Sequence, residues 1–427
     1  MQDIYGDNII TLPIFHGTGK DGTVGSVTTD MHESPKRRRL TRHQKSPETI
    51  AVYQDYGAYY VDLYLGTPPQ RQTVLVDTGS AGTALPCNDC LDCGESNHTN
   101  TNFAQQLSSS FQELNCSGCF KGRCNTVSKT CDMISHYAEG SSWHGIEVQD
   151  VVYPGGFHDV ALDSSRTSED DDGVNAGSNP KNAVKYRFPF KFSCINSMEG
   201  AFKNQQANGI MGLGLKETSI WQQMYAAGIL KSKQFSMCLR KHPFTQTGKR
   251  VRPVGALTFG GVDSRLNSSE MKYVEFKNSD DLYGVHMNDI FVHPSGGETL
   301  SDVNLSKGLH ILDVSEKTLN AGFMILDSGT TETILPSEIR PALDKVWKEL
   351  TGIAFPSSPV DITPEEMRKW PTIIFSMKSY AMEGNEAGST LITFPPSHYM
   401  LYDFHNKQYL PRMQMHNNYK GRYVRRW

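Results

Sequence analysis

Thr73-Val-Leu-Val-Asp77-Thr-Gly-Ser80-Ala-Gly-Thr83-Ala-Leu85-Pro86 has a partner far downstream, Met324-Ile-Leu-Asp327-Ser-Gly-Thr330-Thr-Glu-Thr333-Ile-Leu335-Pro336. Asp, Thr or Ser, Gly, Ser or Thr, Thr, Leu and Pro recur in the same order and spacing, 250 residues apart. An internal repeat so widely separated leaves each copy room for its own lobe. In each copy a β-branched and apolar run ends in Asp-x-Gly. That is the pattern of a buried strand entering a tight turn, because glycine tolerates backbone angles that other residues avoid. A carboxylate placed directly after apolar residues is costly unless it is hydrogen-bonded or shares a proton with a neighbour. One Asp-Thr-Gly alone reads as an ordinary turn. Two matching copies behind apolar strands predict a pair of carboxylates meeting at a pseudo-twofold axis.

On these two motifs the chain resembles the pepsin-like aspartic proteases, in which each lobe contributes one Asp from an Asp-Thr/Ser-Gly-Ser/Thr turn. Within that family it resembles the cysteine-rich plant and nepenthesin type, over roughly residues 52–410. The resemblance implies a mainly β, bilobal fold with pseudo-twofold related lobes, and Asp77 and Asp327 as the catalytic dyad. Around the dyad it implies Thr78, Gly79, Ser80, Ser328, Gly329 and Thr330 as support, with the four hydroxyls orienting the carboxylates by hydrogen bonds. It further implies polypeptide substrates, an acidic optimum, a monomer, and neither metal nor cofactor. The expected division is a propeptide-like segment at 1–50, a first lobe at 51–265, a second lobe at 266–410 and a basic tail at 411–427.

Composition fits this frame. With 427 residues the chain exceeds one ordinary domain, and its 37 glycines, 21 prolines and short β-branched runs favour strands over helices. The net charge of −4, from 42 basic and 46 acidic residues, gives no basic footprint for a nucleic-acid partner. No run of eighteen or more apolar residues is present to span a membrane. Nine cysteines and four N-x-Ser/Thr sequons, at Asn97, Asn115, Asn267 and Asn304, point to the secretory route, and the acidic optimum that the resemblance implies adds an extracellular or acidic vacuole- or lysosome-like setting. Met1 to Lys20 lacks the basic start and apolar core of a signal peptide.

Along the chain, Ile9 to His16 reads as a short apolar strand resembling the opening of a pepsin-type propeptide. Gly17 to Pro47 is polar and charged, and the run Lys36-Arg-Arg-Arg39 fits a processing site, with an anionic surface or nuclear import as the alternatives. Val61, Leu63 and Leu65 alternate with Asp62 and Tyr64, predicting a half-buried strand that turns at Gly66-Thr-Pro-Pro69 and returns to deliver Asp77.

Seven cysteines fall between Cys87 and Cys131. Their C-x2-C spacings suit zinc or an iron–sulfur cluster, but the sequons Asn97 and Asn115 in the same segment imply an oxidising lumen, so disulfides are expected. Seven is odd, so at least one of them pairs elsewhere or stays a thiol, and spacing does not give the connectivity. The resemblance implies a similar disulfide-stapled insert and, from the flanks of the remaining two cysteines, a Cys194–Cys238 pair.

Tyr137-Ala-Glu-Gly140-Ser141 separates two strand-like runs and reads as a hairpin tip. By resemblance this is the flap that closes over substrate, with Tyr137, Gly140 and Ser141 facing it. Many family members hold the flap tyrosine with a Trp from the first active-site segment. Ala84 stands there instead, and Trp143 and His144 are the candidates to replace it.

Farther on, Ala207-Asn-Gly-Ile-Met-Gly-Leu-Gly-Leu215 carries glycines where backbone must pass close to backbone, and by resemblance threads behind the first catalytic loop. Helices are expected over Ser219–Leu230 and Ser337–Leu350, the latter with Ile339, Leu343, Val346, Trp347 and Leu350 on one face. The end departs from the family. After Pro395-Pro-Ser-His-Tyr399 no second Leu-Gly turn follows, and Pro411 to Trp427 is polar and basic. The expectation is a truncated second lobe without the strand that supports the Asp327 loop, and poor or no activity.

Overall fold

The computed structural model describes residues 10–15, 48–55, 58–155, 186–239, 254–263, 265–266, 271–294, 296, 308–380, 388–403, 406–416 and 422–425. The basic run at 36–39, the polar segment 161–183 and the sequons Asn267 and Asn304 lie outside them. Among the described residues no helix is long and apolar enough to cross a membrane.

The hairpin Ala58–Leu65/Gln70–Asp77 forms as its alternation predicts, with Leu65 opposite Gln70 and Tyr60 opposite Leu75. The turn between them begins at Gly66, whose φ of +90° few other residues would accept. The first strand is not half-buried, however: every residue from Tyr59 to Leu65 is buried. Its second face is covered because Leu63–Leu65 also pairs with Val152–Pro154, Tyr64 stacks on Tyr153 at 4.9 Å, and Asp62 forms an ion pair with Arg71 at 3.2 Å.

This hairpin lies in the middle of a sheet of thirteen strands among the described residues. On one side the sheet continues through Glu48–Asp55, Gly255–Phe259 and Gln234–Leu239 to Ile10–Phe15; on the other, through Gly209–Gly212, Thr83–Pro86, Phe188–Glu199 and Ser142–Pro154 to Cys131–His136. The strand expected near residues 9–16 thus pairs antiparallel with Gln234–Leu239. From Phe276 onward the sheets are smaller. One joins Phe276–Ser279, Leu282–Val285, Phe323–Leu326 and Arg422–Arg425, and another joins His310–Ile311, Met287–His293, Thr372–Lys378 and Ser389–Phe394.

Two large apolar cores and one smaller cluster result among the described residues. The first gathers Val61, Val74, Phe190, Trp221, Phe235 and Leu257. The second gathers Ile290, Val292, Leu343, Trp347, Phe375 and Tyr399. Both expected helices are present in shortened form, Ile220–Ala226 and Arg340–Thr351, and each turns its apolar residues inward. Tyr283, beyond the expected boundary at residue 265, packs in the first core and donates its hydroxyl to the Leu213 carbonyl at 2.6 Å.

The expectation of an unsupported second catalytic loop is corrected. Gly209–Gly212 runs parallel to the Asp77 strand, and Phe188–Glu199 runs parallel to Thr83–Pro86. The second lobe repeats both relations: Arg422–Arg425 runs parallel to Phe323–Leu326, and Met413–His416 runs parallel to Thr333–Pro336. Ladder hydrogen bonds use the backbone, so a polar and basic segment can occupy a place that composition alone assigns to apolar residues. Removing residues 417–427 is expected to lower the melting temperature by at least about 2–4 °C, the shift that ~1 kcal/mol produces in a domain of 150–250 residues. An unchanged thermal transition in the shortened chain would show that the Arg422–Arg425 pairing contributes nothing.

Candidate active site

Each Asp-x-Gly turn leaves its strand at the point where the parallel neighbour ends. Gly212 lies opposite Asp77 in the ladder, and beyond it Leu213 N–H donates to the Asp77 carbonyl and Gly214 N–H to the Ser80 carbonyl, both at 2.7 Å. A Cβ on Gly212 would enter the Ala81 backbone, which is the close approach expected for this glycine run.

Within the turns the two carboxylates are held alike. Gly79 N–H donates to Asp77 Oδ1 at 2.8 Å, and the Ser80 hydroxyl donates to Asp77 Oδ2 at 2.5 Å. Gly329 N–H donates to Asp327 Oδ1 at 2.8 Å, and the Thr330 hydroxyl donates to Asp327 Oδ2 at 2.6 Å. The glycines are also required by the opposite lobe: a Cβ on Gly79 would lie 2.6 Å from the Asp327 carboxylate, and one on Gly329 would collide with Asp77 Oδ1.

Thr78 and Ser328 play a different part from the one expected. Neither hydroxyl orients a carboxylate. The Thr78 hydroxyl donates to the Leu326 carbonyl at 2.8 Å and accepts from Ser328 N–H at 2.9 Å. The Ser328 hydroxyl returns both bonds, to the Val76 carbonyl at 2.7 Å and from Thr78 N–H at 3.1 Å. The two turns are thereby interlocked across the pseudo-twofold axis.

Asp77 is 4% exposed and Asp327 9%. Burial, and next the charge of Asp327, push the Asp77 carboxyl well above its ordinary range, against the hydrogen bonds from Ser80 and Gly79. A like charge beside a buried carboxyl favours its protonated form, so Asp77 keeps a proton that an isolated carboxylate would release. Such a pair offers a base and an acid side by side.

Tyr137 heads the turn of the hairpin Cys131–His136/Ser142–Pro154, closed by Tyr137 N–H donating to the Ser141 carbonyl at 2.9 Å. Gly140 is exposed at the tip with φ +101°, while Ser141 is buried and its Oγ accepts from Ala201 N–H at 2.9 Å. Burial and then the Asp77 charge push the Tyr137 phenol up to about 12. Its hydroxyl accepts from Trp143 Nε1 at 3.0 Å, whereas His144 Nδ1 lies against Asn196 Oδ1 at 2.9 Å. Of the two candidates, Trp143 is the one bonded to the phenol.

Four disulfides form, Cys87–Cys194, Cys90–Cys93, Cys116–Cys124 and Cys119–Cys131. The expected Cys194–Cys238 pair is overturned. Cys194 lies opposite Leu85, two residues before Cys87, at a Cα–Cα distance of 5.4 Å from it, while Cys238 sits on a strand of the sheet's other wing and outside the four bonds. Cys119 and Cys131 approach Glu147 at metal-ligand spacing, but their sulfurs are bonded to each other. Asn97 and Asn115 are both exposed.

A sequence model described as eukaryotic aspartyl protease matches residues 189–410, and one described as xylanase inhibitor N-terminal matches residues 59–261. Plasmepsin V of Plasmodium falciparum is 30% identical over 162 residues, covering 38% of this chain and 23% of the relative. Aspartic protease 5 of Toxoplasma gondii is 27% identical over 232 residues, covering 49% and 20%. Aspartic proteinase 39 of Arabidopsis thaliana is 26% identical over 295 residues, covering 67% and 52%. The chain thus spans 20–52% of the length of these three relatives. With the protease model matching more than half of its length and a plant aspartic proteinase among its relatives, this chain belongs to the eukaryotic aspartyl protease family, as a pepsin-like member of the plant type.

Proposed function

We propose that the protein is an aspartic endopeptidase that hydrolyses peptide bonds of polypeptides at acidic pH through Asp77 and Asp327. The observation that carries this reading is the apposition of two buried carboxyls, each fixed by a glycine N–H and a hydroxyl. With one proton between them, the ionised member takes a proton from a bound water, which attacks the peptide carbonyl. The protonated member donates to the oxyanion as it develops. Substrate would lie extended beneath the flap, bonded partly through its backbone. The four disulfides and the two exposed sequons support maturation in an oxidising, glycosylating compartment, and the strand and basic run ahead of residue 48 support release from a precursor.

A second reading rests on the inhibitor-type match over residues 59–261: a protease-fold protein that binds another enzyme without cleaving it. The complete set of bonds around both carboxyls favours the first. Cleavage of denatured haemoglobin or casein between pH 3 and 7, with and without pepstatin, separates them. Activity is expected on the acid side, blocked by pepstatin, and reduced about 100- to 10,000-fold in either Asp77→Asn or Asp327→Asn. A folded wild-type chain without cleavage would favour the inhibitor reading.

The same carboxyl sets a stability profile. Because the folded chain holds a proton on Asp77 that the unfolded chain releases above 3.8, stability falls as pH rises from that value through the raised folded one. Asp77→Asn is neutral at every pH, so it is expected to melt above the wild type at pH 7, with the gap closing as pH falls below about 4. Equal melting temperatures at pH 7 would show that Asp77 bears no such burden.

A further inference from the structure

Trp143 follows Ser142, the first residue of the second flap strand, and its indole is 4% exposed. It packs in an apolar group with Ala84, the Cys90–Cys93 disulfide, Met198 and Phe202, and Phe202 meets the Tyr137 ring edge-on at 5.0 Å. Ala84 is fully buried and contributes only a methyl group there, so that position offers the phenol no hydrogen-bond donor. An indole is a donor only, so in the Trp143–Tyr137 bond the phenol oxygen accepts and keeps its own proton to donate elsewhere.

We propose that Trp143 is a positioning residue for catalysis, which fixes the Tyr137 phenol from within the flap hairpin, in the space that Ala84 leaves beside it. This rests on the endopeptidase reading above. Donor and acceptor are six residues apart on one hairpin, so the bond is local to the flap. The buried indole is in turn seated against Ala84, Met198 and Phe202, so Trp143 links the phenol to the body of the lobe through a bond made within the hairpin.

The test is a cycle of Trp143→Phe, Tyr137→Phe and the double variant, assayed on a peptide at acid pH. Trp143→Phe retains an aromatic ring and loses the donor, and a fall in kcat of about 2- to 10-fold is expected, with KM changed less. The double variant is expected to be no worse than Tyr137→Phe alone, because a residue that acts through the phenol has nothing left to position. Losses that multiply would assign Trp143 a general packing role and overturn the proposal. The indole N–H resonance of 15N-tryptophan-labelled protein reads the bond without catalysis. It is expected to shift in Tyr137→Phe, which retains Trp143 and so keeps the test available should Trp143→Phe fail to fold. If the wild type lacks acid activity, the endopeptidase reading fails and the resonance alone decides the bond: a shift supports the brace, and an unmoved indole overturns it.

Discussion

Two hydroxyls and two backbone amides tie the halves of the site together. Thr78 and Ser328 each send one hydrogen bond to a carbonyl of the other turn and receive one from its N–H. Each of those polar groups would be left unsatisfied, at a penalty of about 1–3 kcal/mol, if the turns drew apart. The interlock therefore opposes separation with several bonds acting together, and it acts directly behind the carboxyls. Position on the neighbouring residues leaves Ser80 and Thr330 free to serve Asp77 and Asp327. Within each Asp-x-Gly-x run, alternate side chains thus divide the tasks of joining the lobes and holding the charge.

That division explains why the glycines cannot be exchanged for other small residues. The interlock draws the turns so close that the α-carbon of each glycine faces the opposite carboxylate, with no space for a methyl group. The same closeness, together with burial, raises the Asp77 carboxyl, since two like charges at this separation oppose one another in a region from which water is largely excluded. Geometry and proton affinity are consequences of one constraint. A looser junction would relieve the charge repulsion and lower the proton affinity of Asp77 with it.

Much of this was legible in the sequence, because the repeat carries its meaning in residue identity and spacing. Asp77 and Asp327, the glycines from Gly209 to Gly214 and the hairpin tip at Tyr137 are all set by local chemistry, and the structure brings them to one place. The separate role of Thr78 and Ser328 was not legible, since a hydroxyl beside an Asp gives no sign of which carbonyl it will meet across an axis. Nor was Cys87–Cys194, which depends on a parallel pairing of strands 107 positions apart rather than on flanking residues. The strands at Met413–His416 and Arg422–Arg425 were hidden for a third reason. Parallel pairing joins backbones, so polar and basic residues on a strand do not rule the pairing out. Trp143 was recognisable only as one of two candidates, because the choice depends on the direction of a ring.

The two lobes are alike in the backbone around their Asp-x-Gly turns and unequal elsewhere. Both Asp-x-Gly turns are framed by parallel strands in the same arrangement, but the Tyr137 hairpin, the cysteine-rich insert and all four disulfides belong to the first lobe. Leu326, the residue before Asp327, packs against both apolar cores and lends its carbonyl to Thr78. The position of the second carboxyl is therefore set partly by packing in the first lobe, where the covalent restraints are concentrated. The second lobe is thus joined to the disulfide-linked first lobe through Leu326, through the paired hydroxyls, and through Tyr283 reaching the Leu213 carbonyl behind Asp77. Loosening of the second core would reach Asp327 more readily than Asp77, because Asp77 stands within the large disulfide-linked sheet and Asp327 stands where a smaller sheet meets it.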